Sequence, residues 1–320
     1  MAGRKDDDRD VSPRDFAARA AWMSFVGGLT QDQIAQELGI SRQRAQRLVA
    51  RATAEGLVRV RIAHPIATCL ELERALKARF GLDGAWVSPR AGGSADVLEG
   101  LASFAAPVLE RVFRAEAPQT IAVGTGRTLR AVIEHVEKLD GAHHKLVALN
   151  GNVAPDGSAT AYEVIVRLAE KMNAPQYPLA IPVVARTREE YALYLSMPHV
   201  KASRELAIAA DVAFVGLGQI ADDAPLYVDG FITAEELASL RAAGAAGEMA
   251  GHVFDASGRY LDHPVNERIM GVRPTVSHNP VCCIAAGPTK LTALRGALAG
   301  GLFNQLITDE ITAQALLDKA

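Results

Sequence analysis

The chain has 320 residues, 49% of them hydrophobic and 22% charged, enough for a sizeable buried core and more than one domain; a disordered or fibrous protein is excluded. No apolar run approaches the roughly 18 residues of a membrane helix, and the charged start Met1–Asp10 leads into no apolar segment, so a cytoplasmic protein with no membrane partner is expected. The formal charge of −3 hides an asymmetry: residues 1–62 hold 11 Lys/Arg against 8 Asp/Glu, leaving 23 against 29 for the rest, so any polyanion is met by the front of the chain.

In that front segment Ala17, Ala18, Ala21, Trp22 and Phe25 repeat at helical spacing until Gly27-Gly28, which predicts a first helix. Thr30 and Gln33 have the form of a capping box, and Ile34, Ala35 and Leu38 make the apolar stripe of a short second helix ended by Gly39. Ser41 caps a third helix running to about Glu55, so soon after the second that the two must cross steeply, as in a helix-turn-helix. On the third helix Ala45, Leu48, Val49 and Ala52 cluster on one side, leaving Gln43, Gln46 and Arg47 on the other. Those types suit base edges in the major groove, Gln with adenine and Arg with guanine. Arg42, Arg44 and Arg51 flank them where phosphates would lie, and Thr30 and Ser41 at the helix starts complete the expected DNA-contacting set. Leu57-Val58-Arg59-Val60-Arg61-Ile62 alternates apolar and basic, as a wing would. A basic three-helix bundle used for protein contacts is the competing reading; caps, turn glycine and basic outer face together favour double-stranded DNA.

Residues 63–85 read as a linker helix. Cys69, Leu72, Leu76 and Phe80 recur at three- and four-residue steps, a seam suited to a dimer contact or to packing on its own domain. A dimer would suit a reader of two half-sites. Cys69 and the adjacent Cys282 and Cys283 are an odd set in which the neighbours could bridge only with strain, so all three read as reduced core residues.

Over residues 86–320, β-rich runs at 120–124, 145–151, 179–185, 212–218, 281–287 and 304–308 alternate with helix-like stretches. This is the pattern of a mostly parallel α/β sheet with helices on both faces, whose ligands sit at the carboxyl ends of the strands. Gly124-Thr125-Gly126-Arg127-Thr128 follows one strand and opens a helix, so backbone N–H groups, hydroxyls and the positive helix end converge as in a phosphate cradle. It is neither a Walker loop nor a dinucleotide fingerprint, and taken alone it is equally a tight turn. Asn150-Gly151-Asn152, Gly216-Leu217-Gly218 and Gly287-Pro288-Thr289-Lys290 end other strands, which makes a shared pocket more plausible than four unrelated turns. Lys290 is either a solvated lysine or the charge partner of an anionic ligand. Gly247-Glu248, Asp255, Gly258, Asp262, Asn266, Glu267 and Arg268 form a hairpin with surface charges, or else supply acceptors for sugar hydroxyls. No His/Cys/Asp spacing suggests a metal, and no cofactor is expected.

These motifs, in this order and spacing over nearly the whole chain, resemble the SorC family of sugar-responsive bacterial transcriptional regulators. The likeness runs from Gly28-Leu29-Thr30-Gln31 through Leu38-Gly39-Ile40-Ser41-Arg42 and Val123–Thr128 to Ala210–Gly218. It continues through Gly247-Glu248, Phe254-Asp255, Pro264–Arg268, Ala286-Gly287, Lys290 and Leu306–Glu310. The resemblance implies a winged helix-turn-helix fused to a Rossmann-like effector domain of the glucosamine-6-phosphate deaminase and ribose-5-phosphate isomerase type. It also implies a homodimer or homotetramer, and a sugar or polyol, phosphorylated in the expected case, as effector. Pro288 stands where the family often has a second glycine and stiffens the turn before Lys290. The resulting expectation is a DNA-binding regulator and not an enzyme, with Gly124, Thr125, Gly126, Arg127, Thr128, Asn150, Gly151, Gly218, Glu248, Asp255 and Lys290 holding the effector. A sugar-phosphate isomerase or deaminase is the alternative: Glu248, Asp255 and Asp262 are candidate general bases and Lys290 a candidate Schiff-base lysine, but no His-acid arrangement sits at a strand end.

Overall fold

The computed structural model describes residues 12–58, 66–89, 97–159, 163–276 and 279–318, which fall into two compact units divided between His64 and Pro65. In the first, α1 (Pro13–Phe25), α2 (Gln31–Leu38) and α3 (Arg42–Ala54) pack around Ala17, Ala20, Ala21, Ile34, Ala45 and Ala52. Small side chains let α1 and α3 approach closely. For that reason the expected inward stripe of α1 is shifted round the helix: Trp22 is 62% and Phe25 50% exposed, and Ala18 also faces out. The Thr30 capping box forms as its spacing predicts, with the Thr30 N–H donating to Gln33 Oε1 at 2.8 Å and Gly39 ending the helix at φ 64°. Of the expected wing only Leu57 and Val58 lie within the described residues, where they pack on α1 and α3.

The second unit opens with α4 (Ile66–Phe80), β1 (Gly84–Ser88), α5 (Val97–Phe113), β2 (Thr120–Val123), α6 (Arg127–His135), β3 (Lys145–Val153), α7 (Val164–Met172) and β4 (Gln176–Pro182). It continues with α8 (Arg188–Ser196), α9 (Pro198–Ile208), β5 (Val212–Val215), α10 (Pro225–Val228), α11 (Ala234–Ala242), β6 (Ala245–Met249) and β7 (His252–Asp255), and closes with β8 (Val281–Ile284), α12 (Leu291–Ala299), β9 (Gln305–Asp309) and α13 (Glu310–Leu317). Seven strands pair in parallel in the order β1-β9-β8-β5-β2-β3-β4, while β6 and β7 form a separate antiparallel hairpin. Valine, isoleucine and alanine run through the central strands because both faces are covered; β5 and β8 are buried at every position. The seam of α4 is spent inside this unit. Cys69, Leu72 and Leu76 are buried with Leu82, Ala85 and Val87, against β1 and α13. Cys282 and Cys283 are buried free thiols on β8, and burial pushes Cys282 up to about 12.

From β2 the chain winds through β3 and β4 in one direction, then β5 returns to the other flank of β2 and the winding continues through β8 and β9. Right-handed crossovers therefore put α6 and α7 on one face and α9 and α12 on the other. A crevice opens beyond the carboxyl ends of β2 and β5, at the point where the winding reverses.

Candidate functional site

In the front unit the outward face of α3 carries Arg42, Gln43, Arg44, Gln46, Arg47 and Arg51, all exposed. Ser41 caps the helix by accepting from the Arg44 N–H at 3.3 Å, and the Thr30 hydroxyl is likewise engaged in its cap. Arg47 Nε reaches back to the Gln43 carbonyl at 3.4 Å, Arg42 faces Asp32 at 3.6 Å, and the Arg44 guanidinium lies 6.0 Å from the Phe16 ring centre. Arg51 is the most tightly held, donating to Glu55 at 2.6 Å.

In the second unit the crevice is a cavity of about 760 Å³. Gly124 ends β2 with its N–H donating to the Phe214 carbonyl of β5 at 2.8 Å. Gly126 stands at the N-cap of α6 with φ 115°, a backbone open to glycine, and no side chain caps the helix. The first-turn N–H groups of α6 therefore face the cavity beside Thr125, Arg127 and Thr128. Asn150 enters from β3. Its Oδ1 is buried and has no hydrogen-bond partner among the described residues.

The β6–β7 hairpin brings in Glu248, whose backbone N–H and carbonyl pair with Gly218 beyond β5 at 2.9 and 3.0 Å. Gly218 is required there, because a Cβ would stand 2.0 Å from the Glu248 carboxylate. The Gly251 N–H holds Glu248 Oε2 at 2.7 Å, yet burial raises its pKa against that bond and against Lys290. Lys290 ends a 3-10 turn, Pro288–Lys290, and donates to the buried Gln219; burial lowers its pKa while Glu248 opposes the shift.

Gly124, Thr125, Gly126, Arg127, Thr128, Asn150, Gly218, Glu248 and Lys290 thus line one cavity. Two expected residues lie elsewhere. Asp255 closes the far end of the hairpin, accepting from the Ser257 hydroxyl and from Arg259, contacts that hold its carboxyl down to about 2. Gly151 serves sheet packing: it sits at a β3–β4 irregularity where a Cβ would be 2.3 Å from the Pro182 carbonyl. Asn266 is likewise structural, bridging Val253 and Leu261. Gln219, Asp223, Asp156 and Phe231 line the cavity without having been anticipated. Gln219 directly extends the Gly216-Leu217-Gly218 strand end, a local signal that could have marked it; the others sit on loops with no pattern.

Residues 64–318 match the family described as "Putative sugar-binding domain", and residues 21–65 match the MarR family. The erythritol catabolism regulatory protein EryD of Brucella abortus (strain 2308) is 32% identical over 94% of this chain and 96% of its own length. The transcriptional regulator LsrR of Enterobacter sp. (strain 638) is 31% identical over 96% of this chain and 94% of its own. The crystal structure of the full-length sorbitol operon regulator SorC from Klebsiella pneumoniae superposes with a TM-score of 0.70 at 26% identity, covering 94% of this chain and 98% of that one. Helix-turn-helix and sugar-binding unit together make the chain a member of the SorC family of sugar-responsive DNA-binding transcriptional regulators.

Proposed function

We propose that α3 reads an operator with Gln43, Gln46 and Arg47 on base edges and Arg42, Arg44 and Arg51 on phosphates, and that a sugar or polyol in the crevice sets the operator affinity. The loop Gly124–Thr128 takes a phosphate on its N–H groups and hydroxyls, Lys290 adds charge, and Asn150 and Glu248 accept from hydroxyls. One observation carries this reading: the uncapped, glycine-started α6 opens into the same cavity as the unpartnered Asn150 Oδ1.

The lining also contains four carboxylates, Asp156, Asp223, Asp229 and Glu248, against Arg127 and Lys290, so the test must set a phosphorylated polyol beside its neutral analogue. Thr125→Asp is expected to abolish the effector response while leaving DNA binding intact. Lys290→Ala is expected to weaken the phosphate more than the neutral analogue, by about 1.5–3 kcal/mol. Calorimetry showing equal binding of the two ligands, untouched by Thr125→Asp, would overturn the phosphate reading.

We read the cavity as a sensing site and not a catalytic one, in keeping with the regulators that the chain resembles. Turnover of sugar phosphates by the purified protein would reverse this assignment. A regulator that meets both an operator and a metabolite works in the cytoplasm, which is the location this reading assigns. A homo-oligomer is favoured by the exposed α1 stripe of Trp22, Phe25 and Val26, since a lone helix-turn-helix makes few base contacts.

A further inference from the structure

A second cavity, of about 560 Å³, lies on the same unit away from the effector crevice, between α9, the chain after the β6–β7 hairpin, the stretch 272–276 and Gly301-Leu302. Among the described residues its charged and polar groups are Arg204, Arg273 and Tyr260, with Thr275 beside them, and no carboxylate lines it. That is unusual for a region in which acids outnumber bases by 29 to 23, and it is the reverse of the crevice, where carboxylates outnumber cations.

Each polar group has a fixed place. Arg204 Nη1 donates to the carbonyls of Met270 and Gly271, anchoring a half-buried guanidinium at the cavity wall. The Arg273 guanidinium lies 4.8 Å from the Tyr260 ring centre. The Tyr260 hydroxyl is buried without a hydrogen-bond partner among the described residues, and burial pushes its pKa up to about 12, so it is a proton donor at neutral pH. Ile208, Val272, Pro274, Val276 and Leu302 supply apolar walls, with Ile208 69% exposed at the rim.

We propose that this cavity is a second ligand site, for a small organic anion whose carboxylate or phosphate meets Arg273, Arg204 and the Tyr260 hydroxyl while its apolar body lies against Ile208 and Leu302. Two guanidinium groups with no carboxylate beside them among the described residues select an anion, and apolar walls select against a fully hydroxylated one.

Phenyl phosphate, benzoate and neutral phenol are suitable probes, titrated by calorimetry into the full chain and into three variants. Phenyl phosphate or benzoate is expected to show a binding event that survives Thr125→Asp, so that it is separate from the effector crevice. The event should weaken at least tenfold with Arg273→Ala and several-fold with Tyr260→Phe, which keeps the ring and removes only the hydroxyl. A preference for benzoate would identify a carboxylate site, and for phenyl phosphate a phosphate site. Phenol binding as well as either anion would overturn the proposal, as would the loss of all binding in Thr125→Asp or a full response in Arg273→Ala and Tyr260→Phe together.

Discussion

Single side chains on α3 divide into free and tethered groups, and that division has a measurable consequence. Arg47 leans only on a backbone carbonyl of its own helix, whereas Arg51 must leave Glu55, at 2.6 Å, before it can meet a phosphate. Arg47→Ala is expected to cost about 1–3 kcal/mol of operator binding and to relax selectivity at one base pair. Arg51→Ala should weaken specific and random DNA alike, and by less. Equal losses for both variants on both DNAs, measured by fluorescence anisotropy, would remove the base-reading role. At the other end of the chain, His252 is buried beside Arg204 and Arg273, and its Nε2 donates to the Gly271 carbonyl at 3.1 Å. Burial first, then those cations, lower its pKa from 6.5 to about 4. Between those values the unfolded chain binds a proton that the folded chain refuses, so stability falls as pH drops from 6.5 toward 4, by roughly 3 kcal/mol at most. Urea unfolding at pH 7 and pH 4.5 should show the slope, and His252→Gln should flatten it.

Elements differ in how openly their residues announce them. The strands β2, β3, β5 and β8 could be read from apolar runs closed by glycine, β9 from the run Leu306-Ile307-Thr308, and α2 from its cap. Thr30→Ala tests that cap: a loss of about 1 kcal/mol in the stability of the front unit is expected, with Thr30→Ser retaining most of it. Four elements escaped, among them the single turn α10. The strand β1 is a five-residue edge strand placed directly after a helix, and α5 is apolar almost throughout with Pro107 in its interior. The helix α8 fully buries none of its residues, and the stripe that packs on the core is short, Tyr191, Tyr194 and Leu195. Within the crevice, the Gly124–Thr128 loop was visible because all its contacts are local in sequence. Glu248 and Asp255 looked equivalent because both are acids in one hairpin. The register sets them apart: Glu248 pairs with Val253, and Asp255 pairs with Ala245 at the opposite end. Gln219 and Asp223 depend on a loop folded over the sheet, a long-range arrangement that composition cannot reveal.

At the scale of the whole molecule, a basic reading unit precedes an acidic sensing unit, and binding at one must be matched reciprocally by binding at the other. The exposed stripe of α1 gives the proposed homo-oligomer a testable surface: Trp22→Ala is expected to lower the self-association seen by light scattering while leaving the melting temperature nearly unchanged, because Trp22 is 62% exposed. An unchanged mass would assign the oligomer contact elsewhere. The β6–β7 hairpin has a consequence of another kind. It belongs to no strand of the main sheet and reaches the crevice through the paired Gly218 and Glu248, seated on α12 where a Cβ at Gly247 would strike Ala293 at 2.4 Å. A segment so attached can be exchanged without breaking a strand pair of the main sheet. Residues 245–255 grafted from a relative with another effector are expected to change the effector preference measured by calorimetry, provided that the host keeps Gly218 and the graft keeps Gly247 and the buried Met249, Val253 and Phe254.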